Sequence, residues 1–303
     1  VVVSSRRKGL DVTRVVSNTE VSSYSLCKRQ HFYRFNMGIE PKPDLLSPAL
    51  YRGIIGHQAL EVYYMALKDE ATVDEAKKLA IDTVKAEIMR VSISTPEEYD
   101  RIILLTELSG LIEAYAEYYR NEKFKIIAVE KEFQTPISDD ILYGMKLDLL
   151  IQHVQGPYRG DYELIDHKFV YNFKSVRELE LDGQMPKYIK TLKSNGITIG
   201  KGCFNQVRYR KMKDPKPSDI FKRTPARLFP YKTEAIWNEQ KKYADKIVNS
   251  PEEPLRTLTT ISCRGCYFDE VCNADLMGQN TENLLSTRYQ PTTYGYVDLG
   301  AEE

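Results

Sequence analysis

Histidine and tryptophan are scarce in this chain, four and one among 303 residues, and neither sign of charge prevails, 43 Lys and Arg standing against 43 Asp and Glu. Zero net charge removes the global field that marks many nucleic-acid or membrane-surface proteins, so such a partner has to be sought in local patches. No apolar run reaches membrane-spanning length, and the N-terminal stretch VVVSSRRKGLDVTR has too short an apolar segment for a signal peptide, so a cytoplasmic protein without membrane contact is expected. Cysteine is sparse too. The five thiols, Cys27, Cys203, Cys263, Cys266 and Cys272, are odd in number and unevenly placed, unlike a secreted disulfide framework, which makes metal ligation the better expectation. A nucleotide-driven motor is excluded, because GITIGKG has the wrong spacing for a phosphate-binding loop and lacks Ser or Thr after its lysine.

What is present is an ordinary globular composition, 42% hydrophobic and 28% charged, with ample material for a core. A short helix is expected around Cys27. After Ser47 as cap and Pro48 at the first helical position, ALYRGIIGHQALEVYYMALKDE reads as an amphipathic helix. Helices over 73–92 and 96–120 come next, the second opened by a Thr95–Glu98 capping box. Three strands, KIIAVEKEF, LYGMKLDLLIQH and YELIDHKFV, then form a meander, succeeded by a helix from Gly183 to Leu192 and a strand CFNQVRYRKM. The segment KDPKPSDIFKRTPARLFP reads as a linker before a long helix, YKTEAIWNEQKKYADKIVN, and the cysteine cluster. The expected organisation is an N-terminal segment (1–46), a helical part (47–122), a core with a basic segment (123–232) and a C-terminal part with three cysteines (233–303).

Several residues carry chemistry. In LIDHKF, alternation puts Asp166 and Lys168 on one side with Leu164, and Ile165 and His167 on the other. A carboxylate beside an ammonium suits phosphodiester hydrolysis, with the acid on a divalent metal and the lysine orienting water and steadying charge; a cross-strand ion pair is the plainer alternative. Asp148 sits in the apolar run of the preceding strand, where an unpaired charge is expensive, so a cation shared with Asp166 or a salt bridge is expected. His57 shares a helix face with Gly53 and Glu61; it is either a structural histidine or a ligand that would favour manganese beside magnesium, and Glu61 is either a further ligand or a supporting or salt-bridge residue. Gln184 and Tyr188 share a helix face, and Pro186 forces Gln184 into the first turn, where backbone N–H groups can receive a phosphate. Between Lys201 and Lys232 lie Arg208, Arg210, Lys211, Lys213, Lys216, Lys222, Arg223 and Arg227 against only Asp214 and Asp219, a track for a phosphate backbone or merely a solvated face. Phe32 and neighbouring tyrosines are candidates for base stacking.

In this order, GIIGHQALE, Asp148, DHK and QMPKY resemble the PD-(D/E)XK nuclease superfamily, in particular its RecB-like exonuclease branch. The resemblance implies an α/β fold: a restriction-endonuclease-like core with a mixed central sheet and a helical N-terminal insertion. It implies His57, Asp148, Asp166 and the main-chain carbonyl of His167 as metal ligands, Lys168 as catalytic lysine, and Gln184 and Tyr188 as helpers that position the strand. Iron-sulfur members carry one cysteine before the core and three after it, so Cys27 with Cys263, Cys266 and Cys272 resembles a 4Fe-4S staple joining the two ends, with four-cysteine zinc as the alternative. Cys203 is expected to be a buried apolar residue. The tail resembles phage-borne members. The implied activity is a Mg2+- or Mn2+-dependent deoxyribonuclease, an exonuclease on single strands or duplex ends in phage recombination or replication. Possible partners are DNA, a recombinase, a single-strand-binding protein or a helicase. The alternatives are a nuclease of CRISPR adaptation working in a complex and a catalytically silent DNA-binding assembly subunit.

Overall fold

The computed structural model describes residues 14–42, 47–90, 98–181, 183–249 and 254–292. Strand β1 (Arg14–Ser17) runs into helix α1 (Asn18–Leu26), where the Ser17 side chain accepts the Glu20 N–H as cap. Cys27 is extended, so it breaks the helix and separates α1 from α2 (Lys28–His31); a π-helical turn, Phe32–Asn36, leads to β2 (Ile39–Pro41). Helices α3 (Pro48–Lys68), α4 (Val73–Arg90) and α5 (Glu98–Tyr118) come next, α3 capped as expected by the Ser47 hydroxyl accepting from the Leu50 N–H. The capping box expected at Thr95 lies outside the described residues.

The meander forms as β3 (Phe124–Pro136), β4 (Ile141–His153) and β5 (Tyr162–Val170), after which come α6 (Val176–Leu181), α7 (Gln184–Ser194), β6 (Ile199–Arg208), α8 (Pro217–Ile220), β7 (Phe221–Ala226) and α9 (Pro230–Asn249). The chain closes with α10 (Thr260–Cys263), α11 (Asp269–Leu276), α12 (Glu282–Arg288) and β8 (Tyr289–Pro291). The segment expected to be a linker contains β7, an edge strand antiparallel to β6. Its Pro225 disguises it, because proline lacks the ladder N–H and is tolerated only at such an edge.

The sheet runs β3–β4–β5–β6–β7, with β1 parallel to the first part of β4. The β3–β4, β4–β5 and β6–β7 pairs are antiparallel and β5–β6 is parallel, so the sheet is mixed. Alternation along the strands builds two cores. Leu149, Ile151, Ile165 and Val207 meet Ile55, Ala59, Val84 and Ile112 of α3, α4 and α5. On the other face Tyr143, Leu147, Leu164 and Phe204 meet Met185 and Leu192 of α7 and Trp237 of α9. The N- and C-terminal segments join in a small lobe, where β2 pairs with β8 and Tyr33 packs with Phe268, Val271 and Tyr289. Among the described residues no helix is long and apolar enough to cross a membrane.

Candidate active site

The site lies where β4 and β5 part. Their ladder holds only from Leu149↔Ile165 to Gln152↔Tyr162, while β1 takes the same edge of β4 at Ile141–Gly144, so Asp148 falls between two pairings. There its Oδ2 accepts the backbone N–H of His167 at 2.7 Å. Alternation also breaks at this point: Leu147 enters one core and Leu149 the opposite one. Across the hairpin, Glu130 of β3 has φ 46°, the left-handed region that costs a non-glycine residue about 1–2 kcal/mol. Local strain of this kind is typical of a functional position.

Its effect is to gather acids. Ligand atoms of His57, Glu130 and Asp148 all lie within 4.8 Å of one another, the one such group among the described residues. His57 Nδ1 is 3.6 Å from Asp148 Oδ2. Burial, then the nearby carboxylates of Asp166 and Glu130, hold the Asp148 carboxyl well above its usual range. Glu130 is raised by burial despite its ion pair with Lys146 at 2.9 Å. Desolvation, then the Lys168 charge, lowers His57 to about 4, opposed by its hydrogen bond to the His167 backbone, so the imidazole is neutral and free to donate its lone pair near pH 7. Clustered carboxylates that resist ionisation, beside a neutral imidazole, form a donor set that fits a divalent cation.

Asp166 is buried, and Lys168 Nζ stands 2.9 Å from its Oδ2. The same amine donates to Gln184 Oε1 at 3.0 Å, and Gln184 Nε2 donates to the Tyr188 hydroxyl at 2.7 Å. The first turn of α7 therefore grips the lysine. Gly183 precedes it with φ 65°, a left-handed turn that favours glycine.

The His167 side chain points away from the acids, as alternation expects. Asn205 Nδ2 donates to its Nδ1 at 2.8 Å and to the Tyr115 hydroxyl at 2.8 Å, while its ring stacks on Tyr64 at 5.6 Å. Burial lowers its pKa, so a neutral ring is pinned from behind and with it the backbone that touches Asp148 and His57.

Of the expected residues, His57, Asp148, Asp166, Lys168, Gln184, Tyr188 and the His167 backbone come together. Glu130 was missed. Its signal lay in strand pairing, because the hairpin pairs its neighbours Val129 and Lys131 with Leu149 and Leu147, which flank Asp148, and acids brought near each other across strands call for a cation. Glu61 stands near enough to Glu130 to raise its pKa but is outside the three-residue group.

Elsewhere the picture changes in three respects. The basic run is not one track: Arg223 pairs with Glu122 under Tyr119, Arg227 and Lys232 lie on Glu180, and Lys201 sits over Tyr158 at the far end of β6. Phe32 packs against the lobe core beside buried Tyr33 rather than standing free for bases. Cys27, Cys263, Cys266 and Cys272 are free thiols lining one small cavity with Tyr33 and Phe268, yet they form no group of three ligand atoms within 4.8 Å. Cys203 is buried in the helical-side core, and desolvation pushes its thiol up to about 12.

The mixed sheet thus presents clustered acids and one lysine beside a parting of strands, a donor set that suits a divalent cation next to a phosphodiester. The sequence profile of the PD-(D/E)XK nuclease superfamily matches residues 15–273, and the chain belongs to that superfamily. Membership implies DNA as the substrate class and a divalent metal as the cofactor class. No curated protein sequence matches the chain. A solved structure described as "Crystal structure of SSO0001" aligns over 89% of this chain and 90% of its own at 12% identity, with a TM-score of 0.39, a likeness too loose to bear on function.

Proposed function

We propose that this chain is a magnesium- or manganese-dependent DNA exonuclease of the RecB-like branch, acting in the cytoplasm on single strands or duplex ends during phage recombination or replication. The observation that carries the reading is the meeting of His57, Glu130 and Asp148 beside the Asp166–Lys168 pair. In this reading Asp148, Asp166, His57 and the His167 carbonyl are the metal ligands, with Glu130 added to them. When bound, a divalent cation supplies Lewis acidity toward the phosphodiester. Lys168 sets its positive charge against the negative charge that develops on the phosphate and orients the attacking water. Gln184 fixes the lysine, and Tyr188 fixes Gln184, so their roles are positional.

We also assign a 4Fe-4S cluster to Cys27, Cys263, Cys266 and Cys272. Four free thiols around one cavity, walled by the aromatic rings of Tyr33 and Phe268, fit such a group. It would tie segments more than two hundred residues apart, as Cys27 and Cys263 are, in a lobe with only a small core of its own. In our proposal the working parts are 1–46, 47–122, 123–232 and 233–303.

The test is cleavage of end-labelled single- and double-stranded DNA with magnesium or manganese by wild type, Asp166→Ala and Lys168→Ala. Both variants should lose cleavage while retaining iron and sulfide. Equal cleavage by all three proteins would remove the assignment, and zinc in place of iron would remove the cluster.

A further inference from the structure

The parallel strands β5 and β6 end side by side, and the residues just beyond those ends are unlike the rest of the basic run. The Tyr209 N–H donates to the Val170 carbonyl at 3.0 Å, extending the ladder, and puts Tyr209 next to Tyr171 with ring centroids 5.9 Å apart. Each ring has an arginine: Arg52 stands 5.4 Å from the Tyr209 ring and Arg210 stands 5.7 Å from the Tyr171 ring. Behind them Arg208 and Lys222 lie over Phe173 at 4.8 and 5.7 Å. Glu107 neutralises part of this charge by pairing with both Arg52 and Lys211, but Arg210, held by Asn172 Oδ1 at 3.1 Å, pairs with a neutral group.

Tyr171 is 57% exposed, unlike the buried tyrosines Tyr63, Tyr64, Tyr115 and Tyr143. The patch also neighbours the catalytic cleft along the chain. Tyr171 directly follows the end of β5, three residues along the chain from Lys168, a span of roughly 10 Å at ~3.3 Å per residue, and Arg52 lies on α3, the helix that carries His57. That distance matches about three stacked bases at ~3.4 Å each.

We propose that Tyr171 and Tyr209, with Arg52 and Arg210, form a stacking platform for the bases of a single DNA strand whose scissile phosphate lies at Lys168. The occupant is a single strand because an open aromatic face takes an unpaired base, whereas bases inside a duplex are already stacked and paired. The inference rests on the nuclease reading of the cleft and adds where the strand runs and which strand form is preferred.

The experiment uses the full chain in EDTA, so that binding is read without cleavage, with fluorescein-labelled oligothymidylate and oligonucleotides carrying abasic sites at successive positions. Wild type should lose about tenfold in affinity when the bases over the platform are removed. Tyr171→Ala and Tyr209→Ala should bind the intact strand about tenfold more weakly and become indifferent to those abasic sites, while Tyr171→Phe behaves as wild type. Equal binding of intact and abasic strands by wild type would overturn the platform. A parallel magnesium reaction separates the two ideas: cleavage without base-dependent binding removes the platform alone, and base-dependent binding without cleavage removes the nuclease reading alone.

Discussion

The acidic cleft and the cysteine lobe each draw residues from distant parts of the chain, but they bring them to different degrees of closeness. In the cleft the fold brings His57, Glu130 and Asp148 together with ligand atoms inside 4.8 Å, and Asp148 is anchored by the His167 N–H. In the lobe four thiols surround one cavity without three of them meeting in that way, and Arg29 and Arg256, both on Asp275, help to fix its rim. The difference comes from the structure behind each site. The cleft is backed by a six-stranded sheet between helical layers, enough to hold repelling carboxylates together. The lobe has a core of four buried residues, and a bridging group held by its cysteines would add what the packing lacks.

The comparison breaks most decisively at Lys168 and Asp166. Alanine at either should lower cleavage by at least about 10²–10³-fold, the scale for removing a group that meets developing charge, and should leave iron content unchanged. The reciprocal change, Cys266→Ala, should abolish iron binding and lower the melting temperature under anaerobic conditions, through a stability loss comparable to that of a native cross-link, about 2–5 kcal/mol. An unchanged melting temperature would mean the lobe needs no staple.

A smaller effect is expected behind the cleft. Asn205 is fully buried, and leucine in its place would leave His167 Nδ1 without its donor and the Tyr115 hydroxyl with only its bond to the Tyr64 hydroxyl, at about 1–3 kcal/mol of stability. Because His167 carries the backbone that positions Asp148, cleavage should fall as well, by about tenfold to 10²-fold. A stability loss with unaltered cleavage would show that the pin is purely structural.

Much of this was legible where the chain obeys simple periodicity. Alternation correctly separated Asp166 and Lys168 from His167, Ser47 and Pro48 opened α3, and Pro186 confined Gln184 to the first turn of α7. The features that escaped notice depart from that periodicity or depend on remote pairing. Glu130 joins the acids because its left-handed backbone interrupts the strand, which a period-2 reading cannot foresee. Strands β1 and β7 are four and six residues long and are strands only because β4 and β6 offer them an edge. The cations between Lys201 and Lys232 looked like one track, yet a strand and a turn distribute them to opposite ends of the sheet and onto Glu122 and Glu180.

The electrostatics of Asp148 give the most direct test. Its carboxyl is raised in the folded protein, so between the ordinary carboxylate range and that raised value the folded state binds more protons than the unfolded one, and the metal-free protein loses stability as pH rises through this window. A divalent cation that binds the ionised cluster reverses the trend, contributing about 2.7 kcal/mol at a hundredfold excess over its dissociation constant. The decisive measurement is therefore the melting temperature with and without manganese, at pH values of about 5 and about 7.5, for wild type and Asp148→Asn. The account predicts a manganese-dependent rise for wild type that is larger at the higher pH and absent in the variant. A rise of equal size in both proteins, or none in wild type at either pH, would contradict the claim that these acids gather around a metal.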